Sequence, residues 1–216
     1  MKTTNLFLAI MLSFVFLSCN DSVAATDLDF DTEMSANQIF QTIEFTSDST
    51  SILTNERDGL ILMREEEKLA ADVYAYFYEK YGMRIFSNIN KSEVKHYDAV
   101  LRLLNYFNIP DPAPTQVGKF SNPDIQALYN KLTADGSTLE NALAVGAFIE
   151  EYDIADLRKL IAETQNADLK MVYTNLLKGS YNHIKAFSKV LASRGVTYSP
   201  QIISEQDLNE IIKWHF

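Results

Sequence analysis

The sequence predicts an all-α protein: a four-helix bundle with a long crossover containing a short helix, plus a C-terminal accessory helix. Three features carry that prediction. Four long stretches repeat apolar residues at helical spacing, and a proline-rich segment interrupts them once, between the second and third. Each of the four also sets an acid, a histidine or both on its apolar side.

The first helix is expected from about Glu56 to Tyr81, entered at Thr54-Asn55-Glu56-Arg57-Asp58, where Thr54 can cap and acids suit the positive end of the helix dipole. Leu62, Met63, Leu69, Ala70, Val73 and Phe77 line its buried side, with Glu66 near the centre of that arc and Glu65 and Glu67 toward its edges. Gly82 stops it. The second runs from Phe86 to Asn108 and ends before Ile109-Pro110-Asp111-Pro112-Ala113-Pro114, which cannot be helix interior. A short helix begins at Asn122-Pro123 and closes at Ala134-Asp135-Gly136. Ser137 or Thr138 caps the third core helix, Leu139 to about Leu160, on which Glu150 and Asp153 share the apolar side and Glu151 points away. Gly146 within it implies a close helix contact, room for a ligand or a local loosening. The fourth core helix spans Leu169 to Ser193, with Ser180 and His183 beside its apolar line. After a turn at Ser199-Pro200, Ser204-Glu205-Gln206-Asp207 opens a last amphipathic piece that packs back over the domain.

With 216 residues and 47% hydrophobic content, the chain supports one core, assigned to residues 54–216. The formal charge of −10 argues against broad electrostatic binding to nucleic acid or an anionic bilayer. A single cysteine rules out an internal disulfide and a Cys-rich metal or redox site. Residues 1–18 follow the plan of a secretory signal, with Lys2, an apolar run from Leu6 to Leu17, and a small residue before Cys19. Phe16-Leu17-Ser18-Cys19 resembles a bacterial lipoprotein processing site, which implies Cys19 as a lipidated mature N-terminus and residues 19–53 as a polar tether; a simple signal peptide cut nearby, leaving a free thiol, and a single-span anchor are the alternatives. The expected location is therefore the bacterial cell envelope, anchored to a membrane through Cys19.

The functional signal is the set of ionisable groups on buried faces. At about 100° per residue, Glu93 and His96 share a side with Ile89, Val100, Leu103 and Leu104, which must be buried. Burying such groups without partners costs several kcal/mol, so something must compensate them. Glu66, Glu150, Asp153 and His183 are the groups that other helices can bring to them. Four acids and two histidines suit a dinuclear iron or manganese centre, because these ions favour oxygen donors and accept imidazole. A mononuclear zinc site, and a metal-free network of hydrogen bonds, use the same residues. Ser180 and Tyr97 are placed behind the ligands, packing against or hydrogen-bonding to them.

Glu66, Glu93-Val94-Lys95-His96, Glu150 and Ser180-Tyr181-Asn182-His183 resemble the ligand pattern of the ferritin and rubrerythrin superfamily, a Glu from each of two helices and a Glu-x-x-His from each of the others. Met63 to Asp72, Phe86 to Ala99, Val145 to Leu157 and Gly179 to His183 look more closely like the ferritin-like domain-of-unknown-function family 2202. The resemblance implies a ferritin-like bundle with a nonhaem di-iron or manganese site. Ser180 departs from it by standing where the second motif has its Glu, and Asp153 is the acid that can replace it. The four cysteines of rubrerythrin's rubredoxin-like module are missing, so turnover would need an external electron donor. Two functions stay open: an exported metal-binding protein acting on ferrous iron, oxygen or peroxide, and a noncatalytic envelope lipoprotein that binds protein partners or itself.

Overall fold

The computed structural model describes residue 45 and residues 51–214. The expected signal segment, Cys19 and most of the tether lie outside the described residues. Among the described residues six helices follow in order: α1 Thr54–Tyr81, α2 Arg84–Tyr106, α3 Pro123–Asp135, α4 Leu139–Glu163, α5 Ala167–Ser193 and α6 Glu205–Lys213. Among the described residues there is no strand, and no helix is long and apolar enough to cross a membrane.

Short connections make antiparallel hairpins of α1 with α2 and of α4 with α5. The hairpins then meet through α1 against α4 and α2 against α5. Their relative direction is set by the crossover, residues 107–138. It is pinned first near the middle of α1, where Asp111 pairs with Arg64 at 2.7 Å, and last at its end, where Gly136 O accepts from Tyr81 Oη at 2.6 Å. At the opposite end Glu56 accepts from Thr164 Oγ1 at 2.6 Å and from the N–H groups of Gln165 and Asn166. Helix α4 therefore runs antiparallel to α1 and parallel to α2. A direct turn out of α2 would have reversed it; the long connection allows the return.

Side-chain caps explain most helix starts. Asn122 accepts from Asp124 N, Thr138 from Asn141 N, Asn166 from Asp168 N and Leu169 N, and Ser204 from Asp207 N. At α1 the expected Thr54 cap is replaced. Thr54 is already helical, and Glu56 reaches back to accept from Leu53 N at 3.0 Å.

The five consecutive charges Arg64-Glu65-Glu66-Glu67-Lys68 are all buried, where such a run would ordinarily be a solvated face. Three of them hold the crossover. Arg64 forks onto Asp111, donates to Tyr97 O and lies 3.1 Å from the Tyr97 ring centroid. Glu65 accepts from the N–H groups of Ser121 and Asn122 at the entry to α3, and Lys68 joins Asp72 to Gln116 O. Glu151, expected to point away, is instead fully buried. It accepts from Tyr198 Oη, Gln201 N, Ile202 N and Ile203 N, fastening the segment that leads into α6. The sequence reading missed this because nothing in the α4 periodicity announces the C-terminal segment folding over that side.

The apolar core is divided in two. One cluster contains Leu69, Val73, Phe77, Phe86, Ile89, Ile149, Ile184 and Phe187; the other contains Leu60, Met63, Val100, Leu103, Leu104, Leu157, Val172 and Leu176. Between them every long helix contributes buried polar residues: Glu66 and Glu67, Glu93 and His96, Glu150 and Asp153, Ser180 and His183.

Candidate metal centre

Glu93 occupies the middle of that polar layer. Its Oε2 lies 2.9 Å from His96 Nδ1, one helical turn away on α2, and its Oε1 lies 2.6 Å from His183 Nδ1 on α5. Glu67 Oε2 is 3.4 Å from His96 Nδ1, and Glu150 Oε2 is 3.4 Å from His183 Nδ1. Two buried triads result, Glu67/Glu93/His96 and Glu93/Glu150/His183, each with its ligand atoms within 4.8 Å of one another. They share Glu93 and draw on all four bundle helices. The imidazoles stack with centroids 5.5 Å apart.

Two close packings leave room for this arrangement. A Cβ on Gly179 would sit 2.5 Å from His96 Cε1 and 2.6 Å from Nε2, so α5 needs a glycine where it passes the ring. A Cβ on Gly146 would meet the Phe187 ring at 2.5 Å, which settles that glycine as a close helix contact. Tyr74 uses the same approach: its hydroxyl donates to Glu150 Oε1 at 2.5 Å and lies 3.2 Å from Gly146 O. We expect Gly179→Ala to push the His96 ring aside and cost about 1–3 kcal/mol, as overpacking does. Urea unfolding reads the cost and imidazole NMR shifts read the displacement; wild-type values in both would show that the ring has room.

The electrostatics are those of a site with more acid than its own cations neutralise. Burial pushes Glu67 up to about 7, against the pull of His96, with Glu93 adding to the rise. Burial and the Glu93 charge likewise push Glu150 up to about 7, opposed by His183 and the Tyr74 hydroxyl. Burial would lower His96, but Glu93 and Glu67 outweigh it and raise it to about 10. Burial would raise Glu93, but His183 and His96 together hold it well below the usual carboxylate range. Asp153 is raised well above its ordinary value by burial and then by Glu67, Glu150, Glu66 and Glu93.

Of the residues singled out from the sequence, Glu93, His96, Glu150 and His183 come together in the triads. Glu66 and Asp153 are buried in the same layer but belong to neither triad; Glu66 lies against Asp156. Ser180 is buried and donates to Leu176 O at 3.3 Å, back along its own helix. Tyr97 is half-buried beneath Arg64, and the tyrosine bonded to a ligand is Tyr74. Glu67 was the residue the sequence reading set at the edge. Leu60, Met63, Glu67, Ala70, Tyr74 and Phe77 follow alternating steps of three and four, and that heptad line could have found it.

The donor set fits a pair of divalent ions. Glu67 Oε2, Glu93 Oε1 and Glu150 Oε2 are buried and face only the two imidazoles, and three carboxylates with two imidazoles make an oxygen-rich set of the kind iron and manganese favour. The arrangement is a potential dinuclear metal site of the ferritin type.

Known proteins resemble the chain across these same helices. The model of the family described as "Uncharacterized protein domain (DUF2202)" matches residues 56–215. The uncharacterized protein MJ0754 of Methanocaldococcus jannaschii is 52% identical over 163 residues, covering 74% of this chain and 88% of that protein. The crystal structure of hypothetical protein MJ0754 from Methanococcus jannaschii matches with a TM-score of 0.76 at 49% identity, over 79% of this chain and 98% of the other. With a match that runs from α1 through α6, this chain belongs to the DUF2202 family, within the ferritin-like superfamily.

Proposed function

We propose that this chain is an exported, envelope-anchored protein that holds two iron or manganese ions and carries out redox chemistry on ferrous iron, oxygen or peroxide. The observation that carries the reading is Glu93, which offers one oxygen beside each of two histidines while Glu67 and Glu150 close the outer sides. Glu67, Glu93 and His96 would hold one ion, and Glu93, Glu150 and His183 the other. When bound, such ions supply reversible one-electron oxidation and Lewis acidity toward a small oxygen-containing substrate. The chain's own residues do the rest. Tyr74 orients Glu150 through its hydroxyl, the two apolar clusters exclude bulk water from either side, and burial with the neighbouring acids favours the protonated form of Asp153. Reducing one peroxide to water consumes two electrons and two protons, and with a single cysteine in the chain the electrons come from an external donor. Lipidation at Cys19 would hold the domain at a membrane surface, with a protein of the envelope or a second copy as neighbour.

Metal analysis of the natively purified chain, combined with ferrous-oxidation and peroxide-consumption assays, tests this. Two iron or manganese ions per chain and turnover that stops on chelation are the expected results. One zinc per chain would replace the dinuclear reading with a mononuclear one. A folded chain that takes up no metal after reconstitution with iron, manganese and zinc would favour the noncatalytic envelope module, with Glu93 serving only to pair the two histidines.

A further inference from the structure

Beyond the two triads, α4 carries acids at successive steps of three, Glu150, Asp153 and Asp156, followed by Lys159. Burial falls along this row: Glu150 is 0% and Asp153 3% exposed, Asp156 is half-buried and Lys159 exposed. The row leads from the centre toward solvent. Glu66 of α1 stands beside it, its carboxyl against Asp156, to which Tyr152 also donates. Glu66 is 1% exposed, and neither of its oxygens accepts from any protein donor. The Tyr173 hydroxyl, from α5, is likewise buried and accepts or donates no hydrogen bond; burial, then Glu56, then Glu66 raise the phenol above its ordinary value. A buried donor and two buried acceptors therefore remain unmatched. A proton shared between Glu66 and Asp156 would satisfy one oxygen of each and leave the Tyr173 hydroxyl as it is.

We propose that Glu66, Asp153 and Asp156 form an auxiliary site for a hydrated divalent cation, between the dinuclear centre and the surface. The ligand class follows from the donors, which are carboxylates alone and suit a hard or borderline divalent ion. Among the described residues, only the two triads bring three ligand atoms within 4.8 Å, so an ion beside Glu66 keeps part of its water shell. Those waters accept from Tyr173 and donate to the remaining carboxylate oxygens. Lys159 is the cation that acts on both Glu66 and Asp156, and it lies at the exposed end of the row. The inference rests on reading the triads as a metal centre.

Titration of the metal-free full chain with Co²⁺, followed by calorimetry and visible absorbance, separates the two ideas. The expected endpoint is three ions, with the third binding more weakly than the first two. Glu66→Gln, which matches the shape of the protonated acid, and Asp156→Asn, at a half-buried position, should each lose the third ion and keep the first two. Glu93→Gln should lose the first two and keep the weak one. An endpoint of two in the wild type, or a third ion that survives both Glu66→Gln and Asp156→Asn, overturns the auxiliary site and leaves the centre intact. An endpoint of zero removes the centre and the auxiliary site with it.

Discussion

Glu93→Gln is expected to empty both halves of the centre together, and His96→Ala only one. The difference follows from geometry: Glu93 faces His96 with Oε2 and His183 with Oε1, and no other residue belongs to both triads. Glutamine keeps the shape but replaces one acceptor oxygen by an NH₂ donor and removes the charge that both imidazoles adjoin. Loss of a group that merely supports a ligand costs about 10–100-fold in metal affinity, so loss of a shared ligand should exceed about 100-fold at each ion. In His96→Ala, Glu93, Glu150 and His183 remain to hold one ion. Metal content after dialysis, with circular dichroism to confirm that the bundle is folded, distinguishes the variants. Equal partial losses in Glu93→Gln and His96→Ala would contradict the shared role of Glu93.

Without metal, the protein should become less stable as pH rises from 5 to 8, and divalent metal should restore it at the upper end. Glu67 and Glu150 have folded-state values raised from 4.5 to about 7, so the folded chain binds protons that the unfolded chain has released. A raised value gives a contribution complete below the unfolded value and lost as pH climbs through the folded one. His96, raised from 6.5 to about 10, acts in the same direction at higher pH, and Glu66 and Asp153 are raised as well. Glu93 is lowered and acts oppositely, but only in acid below the ordinary carboxylate value. A shift from 4.5 to about 7 corresponds to about 3 kcal/mol for one glutamate, and the pair contributes less than twice that because Glu93 acts on both. Urea midpoints of the metal-free chain at pH 5 and pH 8 measure the loss, and repeating the pH 8 titration with Mn²⁺ measures the recovery. A midpoint that increases with pH in the metal-free chain would contradict the raised values.

The helices were legible because their apolar repeats run for many turns and their ends carry side-chain caps. Some limits coincide, as at Tyr81, Leu139 and Ser193, and others differ by two or three residues, as at Phe86 against Arg84 and Leu160 against Glu163. Glu93, His96, Glu150 and His183 were legible for a related reason: α2, α4 and α5 have a recognisable inner side, and an ionisable group there stands out. Helix α1 has none in its middle. Every residue from Met63 to Tyr74 is buried, because α2, α4 and the crossover surround it. An arc computed from apolar residues cannot rank Glu66 above Glu67 on such a helix. Glu151 was misread for the same reason, since the segment before α6 covers a side that α4 alone would expose.

The five charges from Arg64 to Lys68 fix how α1 can change. Arg64, Glu65 and Lys68 each have their own anchor on the crossover, and Glu66 and Glu67 enter two different clusters of acid. No two of them share a task, and no neighbour can substitute by sliding along. A single inserted or deleted residue nearby would turn every side chain beyond it by about 100° and misplace several of these contacts at once. Along this part of the chain, length is therefore fixed as strictly as side-chain identity.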